Sequence, residues 1–487
     1  MPRSWAGVFL LLLLGYGIFI GMNFSDVAGG ADSSGYFNSA RLLAKGRLTA
    51  DYRPIPEIGE IAAYCEPLGF AWSPRKDCYV PVYPVGLPLY LAASSFVGGW
   101  TWGPLVACTA AAVAAVFLCF LCGRELGISR FLAAAGAASL AVSPMFLSAS
   151  SQPMSDALAT TMCLAAIWAA LRSRRSAGLG WGVACGAMLG MAVLVRPSNA
   201  ILLPAILILI WKRRGFLGAF LGGLPFALGL GAYQYYLYGN PMRSGYGDNS
   251  IFFGTKYFVP TIVHYGIWMP QLLPITGLAL LLAFFLPWRS RRREIAALFV
   301  GFASFILFHS IYSYSHETWW YLRFILPAFP ALVLLAMLGL EGWLRWIGGD
   351  ARSWLIPVAA AAVVLLGLGS SLFLGGKLHP LATESVDRQY IDVCSWAKAN
   401  LPADSLVICM QASGAVFYYT DFPILRWDFF KTRTNYETCA ARLRASGRPL
   451  VAIMMEVEAE RVMREIMADR WRQLAKIGSF TVWRLEP

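Results

Sequence analysis

A small set of polar residues stands at the edges of long apolar runs. Asp32 opens "DSSGYFNSARLLAKGRL", Asp156 follows "SSQPMS", Arg196 lies in "LVRPSN", and His316, Glu317, Trp319, Trp320, Tyr321 and Arg323 crowd "SYSHETWWYLRFILP". Two carboxylates on one side of a membrane are able to activate a hydroxyl or to share a divalent cation. Arginine is the better bidentate partner for phosphate, and aromatic rings serve as an interface belt or as platforms for sugars. The segment from His316 to Arg323 therefore reads as a site for a lipid-linked phosphate.

Each of these residues also has a plainer reading. Asp32, with Ser33 and Ser34, sits where a helix N-cap is expected, and Asp156 could cap a membrane helix in the same way. Asp26, six residues before Asp32, is the reserve carboxylate. Arginines at span ends snorkel to the headgroups, and tryptophans there fit a belt. Against these readings, an ionisable side chain near membrane depth is costly and marks a functional cavity. Arg323 is expected at a helix N-terminus, where a cation opposes the macrodipole unless an anion is present.

The elements that must position these groups are membrane spans. Of 487 residues, 58% are hydrophobic and only 14% charged, and the apolar runs are too long and numerous for a soluble core. The net charge of +13 does not point to nucleic acid, because the basic residues form short blocks between apolar runs, at 172–175, 212–214 and 289–293. That is the positive-inside pattern. It predicts about eleven spans, near 5–24, 102–122, 131–148, 157–171, 178–195, 199–211, 216–238, 265–287, 294–312, 324–346 and 353–375. The first run has no small-residue cleavage pattern behind it and reads as a retained anchor with a cytoplasmic N-terminus.

Three polar segments are then expected outside: 25–83, 239–264 and everything after about 377. The first carries an expected amphipathic helix in "ADSSGYFNSARLLAKGRL", with Lys45 and Arg47 at its end, lying on the outer membrane face. "YVPVYPVGLPLYLAASSFVGG" reads as an interfacial re-entry. At about 1.5 Å per residue, "NAILLPAILILIW" reaches roughly 20 Å against a core of about 30 Å. The run after Asp156 is short as well, so the "VRPSN" and "SSQPMSD" turns are expected below the outer surface, which requires protein or a water-filled cavity around them. In the tail, "SLVICM", "AVFYYT", "PLVAIMM" and "FTVWRL" read as strands between helical patterns, a small α/β domain. Of ten cysteines, Cys65 and Cys78 share the first outer loop, where an oxidising compartment permits a bridge that spacing alone does not establish. Walker, G-x-G-x-x-G, H-E-x-x-H and G-x-S-x-G motifs are absent from the sequence.

In order along the chain, "DSSGYFNSARLLAKG", "YPVGLPLYLA", "SPMFLSASSQPMSDALATTMCLAAIW", "LVRPSNAILLP" and "YLRFILPAFPAL" resemble the bacterial polytopic glycosyltransferases of the GT-C class. That class includes relatives of the protein O-mannosyltransferases and of the lipid A aminoarabinose transferases. The resemblance covers roughly residues 1–375, and the tail resembles the soluble outer domain of many such enzymes. It implies an α-helical polytopic membrane protein of about eleven spans with a small C-terminal α/β extracytoplasmic domain. Residues 1–376 would form the transmembrane glycosyltransferase domain, with its first outer loop at 25–83, and residues 377–487 the outer domain. The implied location is the bacterial inner membrane, with the active site outside.

The resemblance also implies a reaction: transfer of a sugar from a polyprenyl-phosphate donor to a lipid, glycan or protein acceptor. Asp32 corresponds to the family's first-loop carboxylate, its proposed base or metal contact, and Asp156 to a second acidic position; these two are the expected catalytic residues. Where the family often has an acidic pair, Asp32 is followed here by Ser33, a departure that speaks against metal dependence. The expected mechanism holds the donor phosphate on Arg323 with Arg196 or Lys256, while Asp32 takes the acceptor's proton and the anomeric carbon inverts. Tyr36, His316, Glu317, Trp320 and Tyr321 are expected around the substrate. The prenyl chain would lie in a groove between spans, so no soluble cofactor is needed, and Asp32 and Asp156 would hold a divalent cation if one takes part. Membrane lipids are the remaining expected partner. A transporter or flippase for a lipid-linked sugar would share the arginines and aromatics, but the sequence shows neither its internal repeats nor its midplane polar sites.

Overall fold

The computed structural model describes residues 3–59, 65–176, 178–210, 212–348 and 354–486. Residues 60–64 of the first outer loop, the end of the expected span at 211 and the start of the last expected span at 353 lie outside the described residues. The chain divides into two compact units. One comprises Met1–Phe24, Leu105–Tyr233 and Asp248–Ala382; the other comprises Ser25–Pro104, Gln234–Gly247 and Thr383–Pro487.

The helices in chain order are α1 (Arg3–Met22), α2 (Ala31–Ala44), α3 (Gly86–Glu125), α4 (Arg130–Val142), α5 (Pro144–Ser150), α6 (Ser155–Ser176), α7 (Leu179–Val195), α8 (Leu203–Leu209), α9 (Arg213–Tyr238), α10 (Phe258–Leu272), α11 (Ile275–Leu282), α12 (Trp288–Ser310), α13 (Phe329–Gly348), α14 (Leu355–Leu378), α15 (Thr383–Asn400), α16 (Ser413–Tyr419), α17 (Arg433–Ala445) and α18 (Glu456–Glu465). Among the described residues, five helices are long and apolar enough to cross a membrane, or six if the bent pair α4–α5 is one span. The other expected spans fall on shorter, broken or more polar helices. The run after Arg196 is one of these: a 3-10 segment, Pro197–Leu202, leads into the seven-residue α8.

In the first unit, α6 fixes the geometry of both ends. Its last turns pair Arg172 and Arg175 with Glu125 at the end of α3, at 2.9 and 2.8 Å, and Arg174 with Glu294 of α12 at 3.0 Å. Two of the basic blocks of the positive-inside pattern thus lie beside one another. Asp156 is in the first turn of the same helix, about 24–28 Å away at 1.5 Å per residue. That separation is slightly shorter than a hydrocarbon core of about 30 Å. Asp156 is fully buried, and the turn before it, Ser150 to Met154, is buried too. The irregular backbone is therefore covered by protein, as its place at the end of a span requires.

The second unit is built on a five-stranded mixed sheet of order β4-β3-β5-β7-β6, with β3 (Leu406–Ile408), β4 (Ile424–Leu425), β5 (Leu450–Met455), β6 (Trp471–Ile477) and β7 (Phe480–Leu485). Strands β3, β4 and β5 are parallel, whereas β7 is antiparallel to β5 and β6. Alternate residues feed two cores, as the two-residue period of a strand dictates. Leu406 and Ile408 pack with α17 and α18, and Val407 and Cys409 pack with α15 and α16. The first outer loop joins both cores, Ile55, Ile58 and Cys65 on one face and Val27 on the other. It also carries the hairpin β1 (Phe70–Ser73) and β2 (Cys78–Pro81).

Two expectations are corrected by the structure. "AVFYYT" is not a strand: Ser413–Tyr419 is helix α16, with Ser413 to Val416 buried. The Asp32 helix does not lie on a surface, because Ser33 to Ala40 are all buried. Its small residues let protein approach from every side, and amphipathic spacing alone did not reveal that. The bridge that spacing left open is not formed: no disulfide joins Cys65, which is buried, to Cys78, which is half-buried.

Candidate active site

In the membrane unit, Asp156 lies between two arginines. Its Oδ1 is 2.7 Å from Nη2 of Arg196, and its Oδ2 is 3.8 Å from Nη1 of Arg323. Arg196 is the C-cap of α7, in extended conformation, and each of its three guanidinium nitrogens has a partner. Nε donates to Ser155 Oγ at 2.9 Å and Nη1 to the carbonyl of Arg323 at 3.3 Å. Arg196 thereby ties three segments to one carboxylate: the start of α6, the end of α7 and the chain ahead of α13.

Arg323 is 8% exposed and sits inside a 3-10 run, Trp319–Ala328, rather than at the start of α13, which begins at Phe329. The expected clash with a helix dipole therefore does not arise at α13. Burial beside Asp156, not macrodipole compensation, is what holds the cation. Its guanidinium lies 5.3 Å from the ring centres of both Trp320 and Phe324, within the range of cation–π attraction. Tyr321 stacks on Phe324 at 5.5 Å and approaches Tyr314 at 5.9 Å. Trp320, Tyr321 and Arg323 thus belong to one aromatic-lined group.

The other expected residues of this unit stand in a second group. His316 stacks on Tyr257 at 5.7 Å, and Lys256 Nζ lies 4.9 Å from the same ring. Lys256 and Glu317 are exposed, whereas His316 is half-buried. The structure thus joins Lys256 and His316 through Tyr257, a residue that sequence reasoning passed over.

In the second unit, Asp32 is in the first turn of α2, but the N-cap is Gly30, with φ of 55° and no side-chain cap. Asp32 is therefore not the cap, and its carboxylate stands close enough to the Tyr83 phenol to act on its pKa. Tyr83 also stacks obliquely on Tyr36, four residues beyond Asp32 and on the same face of the helix, at 5.0 Å. Tyr246 meets the Tyr83 ring edge-on at 5.9 Å. Burial first, and Asp32 second, push the Tyr83 phenol far above its ordinary pKa. It is a donor at every physiological pH.

The opposite face of α2 is gripped by the tail. Asn38 donates to the Gly414 carbonyl at 3.0 Å, and Arg41 donates to the Tyr418 carbonyl at 3.0 Å while its guanidinium lies 3.4 Å over the Tyr418 ring. The lead-in to α2 is held as well: Ser25 Oγ donates to Asp387 at 3.0 Å and the Ala28 amide to the Tyr419 hydroxyl at 2.9 Å. Asp26, the reserve carboxylate, is half-buried in this lead-in. Tyr83 lay in the stretch "YPVGLPLYLA", but no periodicity tied it to Asp32.

Asp156 does not suit a cation. It has guanidinium groups against both oxygens, and among the described residues no three His, Cys, Asp or Glu side chains gather as a metal site.

A family model described as dolichyl-phosphate-mannose-protein mannosyltransferase matches residues 84–230. No curated protein matches the sequence. Among solved structures, the chain is similar to ArnT from Cupriavidus metallidurans bound to undecaprenyl phosphate, with a TM-score of 0.60 and 15% identity over 99% of this chain and 98% of that one. It is similar to the Archaeoglobus fulgidus oligosaccharyltransferase tethered with an acceptor peptide, with a TM-score of 0.63 and 12% identity over 98% and 74%. It is also similar to the arabinofuranosyltransferase AftD from Mycobacteria, with a TM-score of 0.58 and 12% identity over 100% of this chain and 40% of that one. These likenesses bear out the resemblance to the GT-C class of polytopic membrane glycosyltransferases at the level of the fold.

Proposed function

We propose that this chain transfers a sugar from a polyprenyl-phosphate donor to a lipid, glycan or protein acceptor, on the outer face of a bacterial inner membrane. The observation that carries this reading is the buried cluster of Asp156, Arg196 and Arg323. Ionised groups at membrane depth are costly to retain and mark substrate sites, and two guanidinium groups set against one carboxylate suit a phosphodiester. Arg196, committed to Ser155 and Asp156, fixes the cluster, and Arg323 is the proposed donor contact, assisted by Lys256. Trp320 and Tyr321 beside Arg323, with His316, Glu317 and Tyr36, are proposed for the sugar and acceptor. The structures of ArnT and of the A. fulgidus enzyme, which hold undecaprenyl phosphate and an acceptor peptide, support this substrate class. In the same reading, residues 1–376 carry the chemistry, and the first outer loop and residues 377–487 face outward.

Chemically, Asp32 takes the proton of the acceptor hydroxyl as its oxygen bonds to the anomeric carbon. The bond from that carbon to the phosphate oxygen breaks on the opposite face, and polyprenyl phosphate leaves with the electron pair. Inversion follows from attack opposite the leaving group.

Asp32→Asn is the test, because Asn fills the same space without accepting a proton at neutral pH. Purified protein in lipid, supplied with labelled undecaprenyl-phosphate sugars and candidate acceptors, should lose turnover by about a hundredfold or more in the variant while still binding donor. Undiminished transfer by a folded Asp32→Asn chain would remove Asp32 from the mechanism.

A further inference from the structure

Phe324 takes no part in the mechanism above, yet both arginines of the membrane unit meet on its ring. The Arg323 guanidinium lies 5.3 Å and the Arg196 guanidinium 5.9 Å from the ring centre, each within the range over which an aromatic face attracts a cation. The ring itself is held by three others. His309 lies nearly parallel to it at 6.0 Å, Tyr321 nearly parallel at 5.5 Å, and Tyr312 edge-on at 5.3 Å. His309 is fixed in turn, with its Nδ1 3.1 Å from the Phe305 carbonyl, one turn earlier in α12.

The 3-10 conformation of Trp319–Ala328 supplies this alignment. With three residues per turn, side chains three apart eclipse one another, and such runs seldom exceed three or four residues. This one has ten. Trp320 therefore stands over Arg323, at 5.3 Å, and Tyr321 over Phe324. An α-helix would turn the members of each pair about 60° apart around the axis. Arg196 closes the unit from the end of α7, where its Nη1 donates to the Arg323 carbonyl at 3.3 Å. Two guanidinium groups facing the one carboxylate of Asp156 repel one another, and the negative face of the ring offsets part of that repulsion.

We infer that Phe324 is a positioning residue for the donor site: its clamped ring carries both guanidinium groups and sets the angle at which Arg323 meets the donor phosphate. The inference rests on the reading of Arg323 as the donor contact. A cation already ordered on a ring loses less freedom when it takes up an anion, so the ring's contribution belongs to donor affinity rather than to the chemical step.

Replacing Phe324 with mono-, di- and trifluorophenylalanine withdraws charge from the ring face in steps and changes its shape little, so the chain should fold throughout the series. The full chain in lipid nanodiscs is titrated with labelled undecaprenyl phosphate, which requires neither acceptor nor turnover. Affinity should fall stepwise, to about fivefold weaker in the trifluoro variant, and Phe324→Leu, which is apolar but has no ring, should be at least as weak. In transfer assays the KM for the undecaprenyl-phosphate sugar should rise by the same factor while kcat stays within about twofold. Equal affinity across a folded fluorinated series overturns the inference, even where Phe324→Leu is unstable, because a ring that only fills space is indifferent to its charge. A fall in kcat with KM unmoved overturns it as well. Arg323→Ala tells the two readings apart. If it loses undecaprenyl phosphate while the fluorinated series binds as the parent does, only the inference falls; if it binds as tightly as the parent, the proposed function loses its donor contact and the inference falls with it.

Discussion

Asp156 and Arg196 form a buried ion pair, 2.7 Å between Oδ1 and Nη2, with the carboxylate fully shielded from solvent. Removing Arg196 leaves the buried Asp156 only the longer 3.8 Å contact to Arg323, so the cost approaches the about 3–5 kcal/mol of breaking a buried pair. Arg196→Ala should therefore lower the thermal midpoint of the detergent-solubilised protein sharply. Arg196→Lys should recover only part of the loss, because a single ammonium does not replace the three directed contacts to Ser155, Asp156 and the Arg323 carbonyl. The double variant Arg196→Ala with Asp156→Asn should be less damaged than the sum of the two single changes. Strict additivity would show that the pair is not coupled.

That pair also shows how far the sequence could be read. Asp156 was legible as buried, because the short run after it implied a sunken turn, whereas Arg196 is only half-buried and Pro197 in the "VRPSN" turn is exposed. Their mutual contact was not legible, since nothing in the spacing of two residues forty positions apart reveals a partner. Arg323 was expected at a helix start and is not there: "WWYLRFILPA" continues as a 3-10 run to Ala328, which apolar content does not distinguish from an α-helix. In the second unit the parallel strands β3 and β5 were visible as short apolar runs, while "AVFYYT" misled because β-branched and aromatic residues also suit a buried seven-residue helix. The grip of α16 on α2 joins residues more than 370 positions apart, and local pattern carries no trace of it.

Contact between α2 and α16 depends on a missing side chain. A Cβ on Gly414 would lie 2.0 Å from Ser34 Oγ and 2.8 Å from Ser34 Cβ. Gly414→Ala should thus force the tail helix away from α2 and destabilise the second unit by about 1–3 kcal/mol, the usual cost of overpacking. Because α2 carries Asp32, transfer should fall as well. Combining Gly414→Ala with Ser34→Gly removes the atoms in the way, and stability should recover except for about 1 kcal/mol for glycine inside a helix. Equal damage in the single and double variants would place the fault elsewhere.

Asp387 supplies the clearest pH dependence. Burial pushes its carboxyl up to about 6, and the hydrogen bond from Ser25 opposes that rise. Its folded pKa lies above the unfolded value, so the stability tied to its proton is fully present below about pH 4 and is lost as pH rises through about 6. A shift of about two units corresponds to roughly 3 kcal/mol at most. Asp387→Asn keeps an oxygen for the Ser25 hydroxyl and never ionises, so it should unfold later than the parent at pH 7 to 8, with the two converging near pH 4. Ser25→Ala should act in the opposite sense: without the bond that favours the carboxylate, the parent's loss of stability should deepen above pH 6. Denaturation of the full chain followed from pH 4.5 to 8 reads all three curves. Parallel curves for parent and Asp387→Asn would show that Asp387 titrates as an ordinary surface carboxylate.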